Sequence, residues 1–375
     1  MKKIKVLYIV STLDKTGPIN ILYGIVKNIN MNLFDLNIIT LASENKSSRK
    51  EDFLNLGINI KQLNFSRVKM WIFGRKSLFN IINNIQPDII HSHGFRADKY
   101  SAQYSGVSTF TTIHNYPHID YLAEYGKLIG TIMYKLQLKY ITKIQYPIAC
   151  SKSISQELKE KFNLSTYSIP NGINIELYTC ILDNSGRIEL KKQLNLPLNK
   201  KILISVGNLN ERKNPLFLIE CFLESSLKKD YCLIILGDGV LAEKCREIAS
   251  ENILLVGKVD NVRDYLAISD LYISSSKAEG LPNSVLEAMS MEIPVVISKI
   301  PPHEEILEFS NEAGILFELE KGELVRKLNT IDSMDFEKSG AMSKLIVEKN
   351  YSDKKMSRQY EKMYLRALKI EGVGQ

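Results

Sequence analysis

LYISSSKAEGLPNSVLEAMSMEIPVVIS, residues 271–298, decides the fold. It opens on an apolar run (271–276), passes through a loop, and closes on a second apolar run (294–298). Between them, Ser284–Met291 reads as a helix. Pro282 suits the first turn of a helix, where a missing N–H is harmless. Asn283 and Ser284 suit a helix entrance, and Pro294 marks the end. Val285, Leu286, Ala288 and Met289 form the face that packs inward. Two continuous apolar runs joined through a helix make a parallel crossover unit. Glu279 precedes the helix. Glu287 lies inside it at three- and four-residue spacing from Asn283, Ser284 and Ser290. The entrance also presents free backbone N–H groups and a positive dipole end, which together suit an anion. A buried helix with one satisfied carboxylate would show the same local pattern, so the rest of the chain must discriminate.

The same alternation runs through all 375 residues. Short β-rich runs at 3–10, 35–41, 58–63, 87–93, 108–114, 146–151 and 167–170 read as strands of a first half. Runs at 201–209, 231–239, 252–258, 271–276, 294–298 and 314–317 read as strands of a second. Helical patterns lie between them. The expected fold is α/β: two Rossmann-like domains, residues 1–178 and 179–350, facing across a cleft. A long amphipathic helix (351–370) follows, and the segment 351–375 is expected to pack back on the first domain.

Composition sets bounds on function. An apolar content of 45% and a charged content of 24% are ordinary for a globular protein. Five scattered cysteines form no C-x-x-C pair, which favours free thiols in a reducing compartment. MKKIKVLYIVSTLD reads as a first strand rather than a signal peptide, and no run is long enough to span a bilayer. The net charge of +7 is uneven. Residues 1–178 hold 22 Lys/Arg against 12 Asp/Glu, whereas 179–375 hold 27 against 30. The basic half favours an anionic surface or ligand.

Chemistry-bearing residues collect after the strands. Asn208, Arg212 and Lys213 follow the strand at 201–209, and Arg212 and Lys213 precede a helix start where cations can clamp phosphate. Gly237 in LGDGV permits close backbone approach. Lys258, Val259 and Asp260 form a turn suited to a flat base. In the first half, Gly17 and Pro18 start a helix after the first strand, while His91, His93 and Arg96 follow the run at 87–93. His114, Asn115, Tyr116 and His118 follow 108–114. His91 and His93 are expected on opposite sides of their strand. No cysteine or carboxylate completes a ligand set, and the chain contains no Asp-x-Asp, so no metal is expected.

Taken together, these segments resemble glycosyltransferase family 4, retaining sugar-nucleotide transferases of the GT-B fold. EGLPNSVLEAMSMEIPVV is similar to the family's paired-glutamate signature and the run that follows it. VGNLNERKNP, LGDGVL and VGKVDNVRDYLAISDLYISSSKAEG resemble its donor-side loops in order, and CSKSISQEL and IPNGIN resemble the segments leading to its linker. The resemblance implies that Glu287 holds the ribose and that Lys258–Asp260 border the base. It implies that Arg212 and Lys213 stabilise the departing diphosphate and that Glu279 meets the donor sugar. Gly280, Leu281, Pro282, Asn283 and Ser284 would line the phosphate and sugar, with Gly17, Asn208 and Gly237 also on the donor side. His114 would sit near the reacting sugar, and His93, Arg96, Asn115 and Tyr116 would meet the acceptor. No cofactor or metal is implied. Two positions depart from the family: Asn208 stands where many relatives carry arginine, with Arg212 its expected substitute, and TGPIN replaces a frequent double glycine.

The implied donor is a nucleotide-sugar, with UDP the expected nucleotide. The implied acceptor is a lipid-linked saccharide used in surface polysaccharide synthesis. FSRVKMWIFGRKSLF (65–79) and YGKLIGTIMYKLQLKYITKIQY (125–146), the latter read as a helix, place lysines and arginines beside large apolar residues. An enzyme docked on the inner, cytoplasmic face of an anionic membrane is therefore expected. A sugar-nucleotide epimerase of the same fold is the alternative. No complete G-x-G-x-x-G follows the first strand, against a nicotinamide enzyme. No RNA signature, helix-turn-helix or zinc finger accompanies the basic half, so no nucleic-acid partner is expected.

Overall fold

Strands form where the β-rich runs lie. The computed structural model describes residues 2–370 except 66, 180 and 181, and leaves out the side chains of 67–72. β1 (Ile4–Val10), β2 (Phe34–Thr40), β3 (Asn59–Gln62), β4 (Ile89–His93), β5 (Ser108–Ile113), β6 (Tyr146–Ala149) and β7 (Tyr167–Ser168) form one sheet in the order β3-β2-β1-β4-β5-β6-β7. β8 (Lys201–Val206), β9 (Tyr231–Leu236), β10 (Ile253–Gly257), β11 (Leu271–Ser274), β12 (Val295–Ser298) and β13 (Gly314–Phe317) form the other, in the order β10-β9-β8-β11-β12-β13. All pairings between these strands are parallel. Strand order reverses between β1 and β4 in the first sheet and between β8 and β11 in the second. Such switch points open a crevice at the carboxyl ends of the strands, where ligands of doubly wound folds bind.

The chain divides into two compact units, Met1–Gly172 with Asp353–Gln375, and Ile173–Ser352. The sequence-derived boundary at 178 lies past this division. The Ile173 N–H donates to the Tyr351 carbonyl, and the 3₁₀ turn Ile175–Tyr178 packs against the helix Asn283–Ser290, so both belong to the second unit.

In the first unit both sheet faces are covered. Val6, Tyr8, Phe34, Phe110 and Ile148 meet Ile21, Leu22 and Ile25 of the helix Gly17–Asn28 on one face. Leu7, Ile9, Ile39 and Ile90 meet Leu78 and Ile82 on the other. The helix Asp353–Ala367 completes the first of these layers by burying Met356, Tyr360 and Tyr364. Gly24 permits this approach, because a Cβ there would lie 3.3 Å from both Asp353 Cβ and Met356 Cε. The second unit is built alike, with Leu203, Leu233, Ile273 and Phe317 of the sheet packed against Leu218, Phe222 and Leu324 of its helices.

Several local expectations need correction. The helix after Glu279 spans Asn283–Ser290, so Pro282 is its N-cap, with φ −77° and ψ 104°, rather than a member of its first turn. The terminal helix starts at Asp353, later than 351. The segment read as a helix over 125–146 belongs to Pro117–Ile141 and is broken at Gly126, whose φ of 74° and ψ of 175° end one arm and start another. Gly130 lets the arms touch, since a Cβ there would lie 2.3 Å from the Tyr121 carbonyl oxygen.

Candidate functional site

In the second unit the loops after β8 and β11 are stitched together. The Lys277 N–H donates to the Arg212 carbonyl at 2.7 Å. Ser275 Oγ donates to the carbonyls of Lys213 at 3.2 Å and Asn214 at 3.0 Å. This brings Arg212, Lys213 and Glu279 into one cluster. Arg212 Nη1 donates to the Ala278 carbonyl at 2.8 Å and to Glu279 Oε2 at 2.7 Å. Lys213 Nζ lies 2.6 Å from Glu279 Oε1, which also accepts from Ser276 Oγ at 2.7 Å. The Lys213 stem runs over Gly207, where a Cβ would lie 2.8 Å from Lys213 Cε.

Glu279 is only 6% exposed. Burial would raise its pKa, but Lys213 and then Arg212 outweigh burial and hold it at about 2. The cluster therefore keeps one carboxylate between two cations and retains net positive charge. Rigid cations with charge to spare, beside a helix entrance, suit a group on which negative charge grows.

Glu287 behaves oppositely. Burial pushes its carboxyl up to about 7, opposed by a hydrogen bond from Tyr178 and the charge of Lys213. Ser290 Oγ donates to the Tyr178 carbonyl at 3.2 Å, which helps fix that tyrosine. Ser284 Oγ accepts from the Tyr272 hydroxyl at 2.9 Å. Gly280, Leu281 and Pro282 are buried, and Asn283 is half-buried. Lys258 and Asp260 are exposed after β10, with Val259 half-buried between them. Gly237 has a structural reason of its own: its φ is 138°, and a Cβ would lie 1.8 Å from the Gly207 carbonyl oxygen. Asn208 is exposed and projects Oδ1 toward Gly239, where a Cβ would lie 2.2 Å away.

The first unit carries a cavity of about 290 Å³ at the carboxyl ends of β1, β4 and β5. His93, His114 and Asn115 line it with Thr12, Thr16, Asp120, Tyr121, Glu124 and Gln137. Arg96 and Tyr116 do not line it; Arg96 is close enough to Tyr100 to act on its phenol, and Tyr116 is buried. Gly17 is exposed between the lining residues Thr16 and Pro18.

The placement of His91 and His93 on opposite sides is wrong. Residues two apart on a strand share a face, and the two rings stack with centroids 4.6 Å apart. His93 in turn stacks on His114, with Nδ1 2.9 Å from His114 Nε2. His91 Nδ1 lies 2.6 Å from the Tyr364 hydroxyl and Nε2 2.9 Å from Thr112 Oγ1. Burial lowers all three imidazoles: His91 to about 3, with His114 adding to the effect; His93 well below its ordinary value; His114 to about 4. All three rings are therefore uncharged at neutral pH. His93 Nε2 finds no hydrogen-bond partner among the described residues. His118 lies apart from this stack, 3.0 Å from Glu157.

Ser276 and Tyr178 were missed by the sequence reading. Ser276 had a signal, the hydroxyl run Ser274-Ser275-Ser276 at a strand end. Tyr178 had none, because nothing local links it to Glu287. Asp120, Tyr121 and Glu124 were also missed, since they lie on the arm that starts at Pro117, ahead of the helix read from residue 125.

Two sequence profiles match the chain. One, described as glycosyltransferase family 4, spans residues 23–177, and the other, described as glycosyl transferases group 1, spans 200–331. The chain is 27% identical over 241 residues to the Escherichia coli UDP-Gal:alpha-D-GlcNAc-diphosphoundecaprenol alpha-1,3-galactosyltransferase, covering 60% of this chain and 61% of that one. With the O-antigen biosynthesis glycosyltransferase WclY of Escherichia coli the identity is 23%, over 96% of this chain and 98% of that one. The structure of HepE of Anabaena in complex with UDP-glucose superposes with a TM-score of 0.80 at 16% identity, over 96% of this chain and 98% of that one. With profiles on both halves and that fold match, the chain belongs to glycosyltransferase family 4 and has the GT-B fold.

Proposed function

We propose that the protein transfers a sugar, with retention, from a nucleotide-sugar, UDP-linked by preference, to a saccharide on a lipid carrier in surface polysaccharide synthesis. The observation that carries this reading is the Arg212–Glu279–Lys213 cluster beside the helix entrance at Asn283. In the proposed step the oxygen of an acceptor hydroxyl bonds to the anomeric carbon. The bond from that carbon to the phosphate oxygen breaks, its electron pair leaves with the nucleoside diphosphate, and the acceptor proton passes to a diphosphate oxygen. Arg212 and Lys213 meet the growing charge and supply the counter-charge without a metal. Glu279 holds the cations and accepts from sugar hydroxyls. Gly280, Leu281, Asn283 and Ser284 line the phosphates and sugar beside Pro282, with Gly17, Asn208 and Gly237 on the same ligand. Glu287 accepts from the ribose, and Lys258, Val259 and Asp260 border the base. His114 meets the transferred sugar. His93 and Asn115 meet the acceptor in the cavity, with Arg96 further out, while buried Tyr116 stands behind the lining residues Asn115 and Pro117. Relatives support the choice: besides the galactosyltransferase above, one is named as an N-acetylgalactosaminyltransferase acting on a diphospho-undecaprenol substrate.

Docking on an anionic membrane belongs to the same reading. Beyond Gly126, the arm exposes Leu128 (78%), Ile129 (56%), Ile132 (54%) and Leu136 (37%). At about 100° per residue these fall on one side of the helix, and Gly130, Gln137 and Ile141 are its buried residues. Residues 127–146 hold four lysines and no carboxylate. On the helix Arg67–Ile85, Phe73, Arg75 and Lys76 are exposed, while the side chains of Arg67, Lys69, Trp71 and Ile72 lie outside the described residues. No described helix is long and apolar enough to cross a membrane. An apolar stripe with interleaved lysines suits the interface of an anionic bilayer.

A thermal-shift screen across UDP-, GDP- and ADP-sugars, followed by transfer to undecaprenyl-diphosphate saccharides with and without EDTA, tests the enzyme. Stabilisation by one nucleotide class and EDTA-resistant transfer are expected. Conversion of the donor without an acceptor would instead favour the epimerase. Oligonucleotide binding with no response to any nucleotide-sugar would overturn both. Flotation with vesicles rich in phosphatidylglycerol tests the docking, which fails if Leu128→Glu/Ile132→Glu floats like the parent.

A further inference from the structure

We propose that the first-unit cavity selects acceptors by charge, admitting a terminal sugar that is neutral or carries an amine and disfavouring one that carries a carboxylate or phosphate. The inference rests on the reading that this cavity holds the acceptor saccharide.

The lining is one-sided in charge. Asp120 and Glu124 stand on one wall, and no lysine or arginine is among the described residues that line the cavity. The remaining polar groups are hydroxyls, amides and imidazoles, and burial keeps the His93 and His114 rings uncharged at neutral pH. Tyr121 registers this field together with that of buried Asp98. Burial first, then the charges of Asp98, Asp120, Tyr125 and Glu124, push its phenol above the ordinary range. Backbone groups offset this field only in part. The helices Gly17–Asn28 and Pro117–Ile141 both start at the cavity, and each carries proline in its first turn, which removes one of the N–H groups an anion would seek.

The acidic wall is also held in place. Gly130 packs against the Tyr121 backbone, and Gln137 Nε2 on the second arm donates to the buried Asp98 at 3.0 Å. Asp98 is fixed in turn by Ser92 Oγ at 2.7 Å and Thr111 Oγ1 at 2.6 Å. Asp120 and Glu124 therefore sit on an arm tied to the sheet. Carboxylates accept from the paired hydroxyls of a sugar ring and attract an ammonium, but they repel a second anion. The volume, about 290 Å³, is at the lower end for small-ligand pockets and suits a ring-sized group.

The test uses methyl glycosides of the gluco and galacto series, each as the neutral hexoside, the 2-amino sugar and the 6-carboxylate. Binding to the full chain is followed by saturation-transfer NMR and titration in the presence of UDP. Amine and neutral forms are expected to bind at least about tenfold more tightly than the carboxylate of the same series, the scale of one like charge a few ångströms away in a half-exposed site. Glu124→Lys should reverse the order. Asp120→Asn, the milder change, should narrow it. A carboxylate form bound as well as the neutral one, or an order unchanged in Glu124→Lys, would overturn the proposal. Binding of none of the six would also overturn it. A chain that binds these sugars selectively yet ignores every nucleotide-sugar would instead defeat the transferase reading and leave the charge selectivity standing.

Discussion

The two units present opposite electrostatic solutions at equivalent places in the same fold. After β8 and β11, buried Glu279 is held ionised between Arg212 and Lys213. After β4 and β5, His93 and His114 are held neutral, and the charged residues that line the cavity with them, among the described residues, are the carboxylates Asp120 and Glu124. Both crevices lie at a switch point of a parallel sheet. Topology thus fixes where a ligand lies, while loop residues decide which charge it carries. A positive cradle suits a leaving group, and a neutral-to-acidic cavity suits hydroxyls.

The largest expected effect comes from discharging the positive crevice. Lys213→Ala should lower kcat by about 10²–10³, the effect of losing one preorganised donor or cation at a developing oxyanion. The melting temperature should fall by proportionately less, because Arg212 still pairs with buried Glu279. Comparable losses of rate and stability would recast the cluster as structural.

Glu287→Gln should weaken nucleotide binding about tenfold, near the net worth of one hydrogen bond to a charged group. Its pH dependence is sharper. With a folded pKa of about 7, above the ordinary 4.5, Glu287 favours the folded state most below pH 4.5 and loses that contribution as pH rises toward 7. Nucleotide affinity should rise over the upper part of this range as the carboxylate ionises, and titration calorimetry should find it flat in the glutamine variant. Glu279 has the opposite sign. Its folded pKa of about 2 contributes stability above pH 4.5, and that contribution disappears as pH falls through 2. Parallel pH responses from the two glutamates would break the contrast between their environments.

The neutral crevice predicts smaller changes. His114→Asn should lower turnover about tenfold, as expected for one lost hydrogen bond in a site. Its rate profile from pH 6 to 8 should match the parent's, because His114 titrates near 4. Tyr364→Phe removes the hydroxyl lying 2.6 Å from His91 and 3.1 Å from the Tyr8 hydroxyl. It should cost about 1 kcal/mol, or roughly 2–4 °C in a calorimetric transition of the first unit.

The central strands were legible because they are buried and read as apolar runs, as in Ile4–Val10, Tyr231–Leu236 and Val295–Ser298, while the edge strand Asn59–Gln62 is half-exposed and polar. Glu279, Arg212 and Lys213 were legible as well, since each follows a strand whose end can be counted. Pairings across long stretches of chain were not. The hydrogen bond from Tyr178 to Glu287 depends on where Ile175–Tyr178 packs. The demand for glycine at 237 comes from a neighbouring carbonyl, that of Gly207, rather than from a ligand. The break at Gly126 hides inside a pattern that is helical on both sides, and the arm carrying Asp120 and Glu124 lies ahead of the stretch read as a helix from residue 125. The misplacement of His91 and His93 was an error of period, not a missing signal.

The helix Asp353–Ala367 also sets an order of events during synthesis. It follows the whole second unit in the chain, yet Tyr360 and Tyr364 fill the core of the first. A ribosome-bound chain can therefore finish the second unit while the first still has Tyr8, Phe34 and Phe110 without the last helix of their covering layer and His91 without the Tyr364 hydroxyl. Domains commonly mature from the N-terminal side as they emerge. Here the unit begun first is closed last, and its open face is the surface most in need of a chaperone until the final helix arrives.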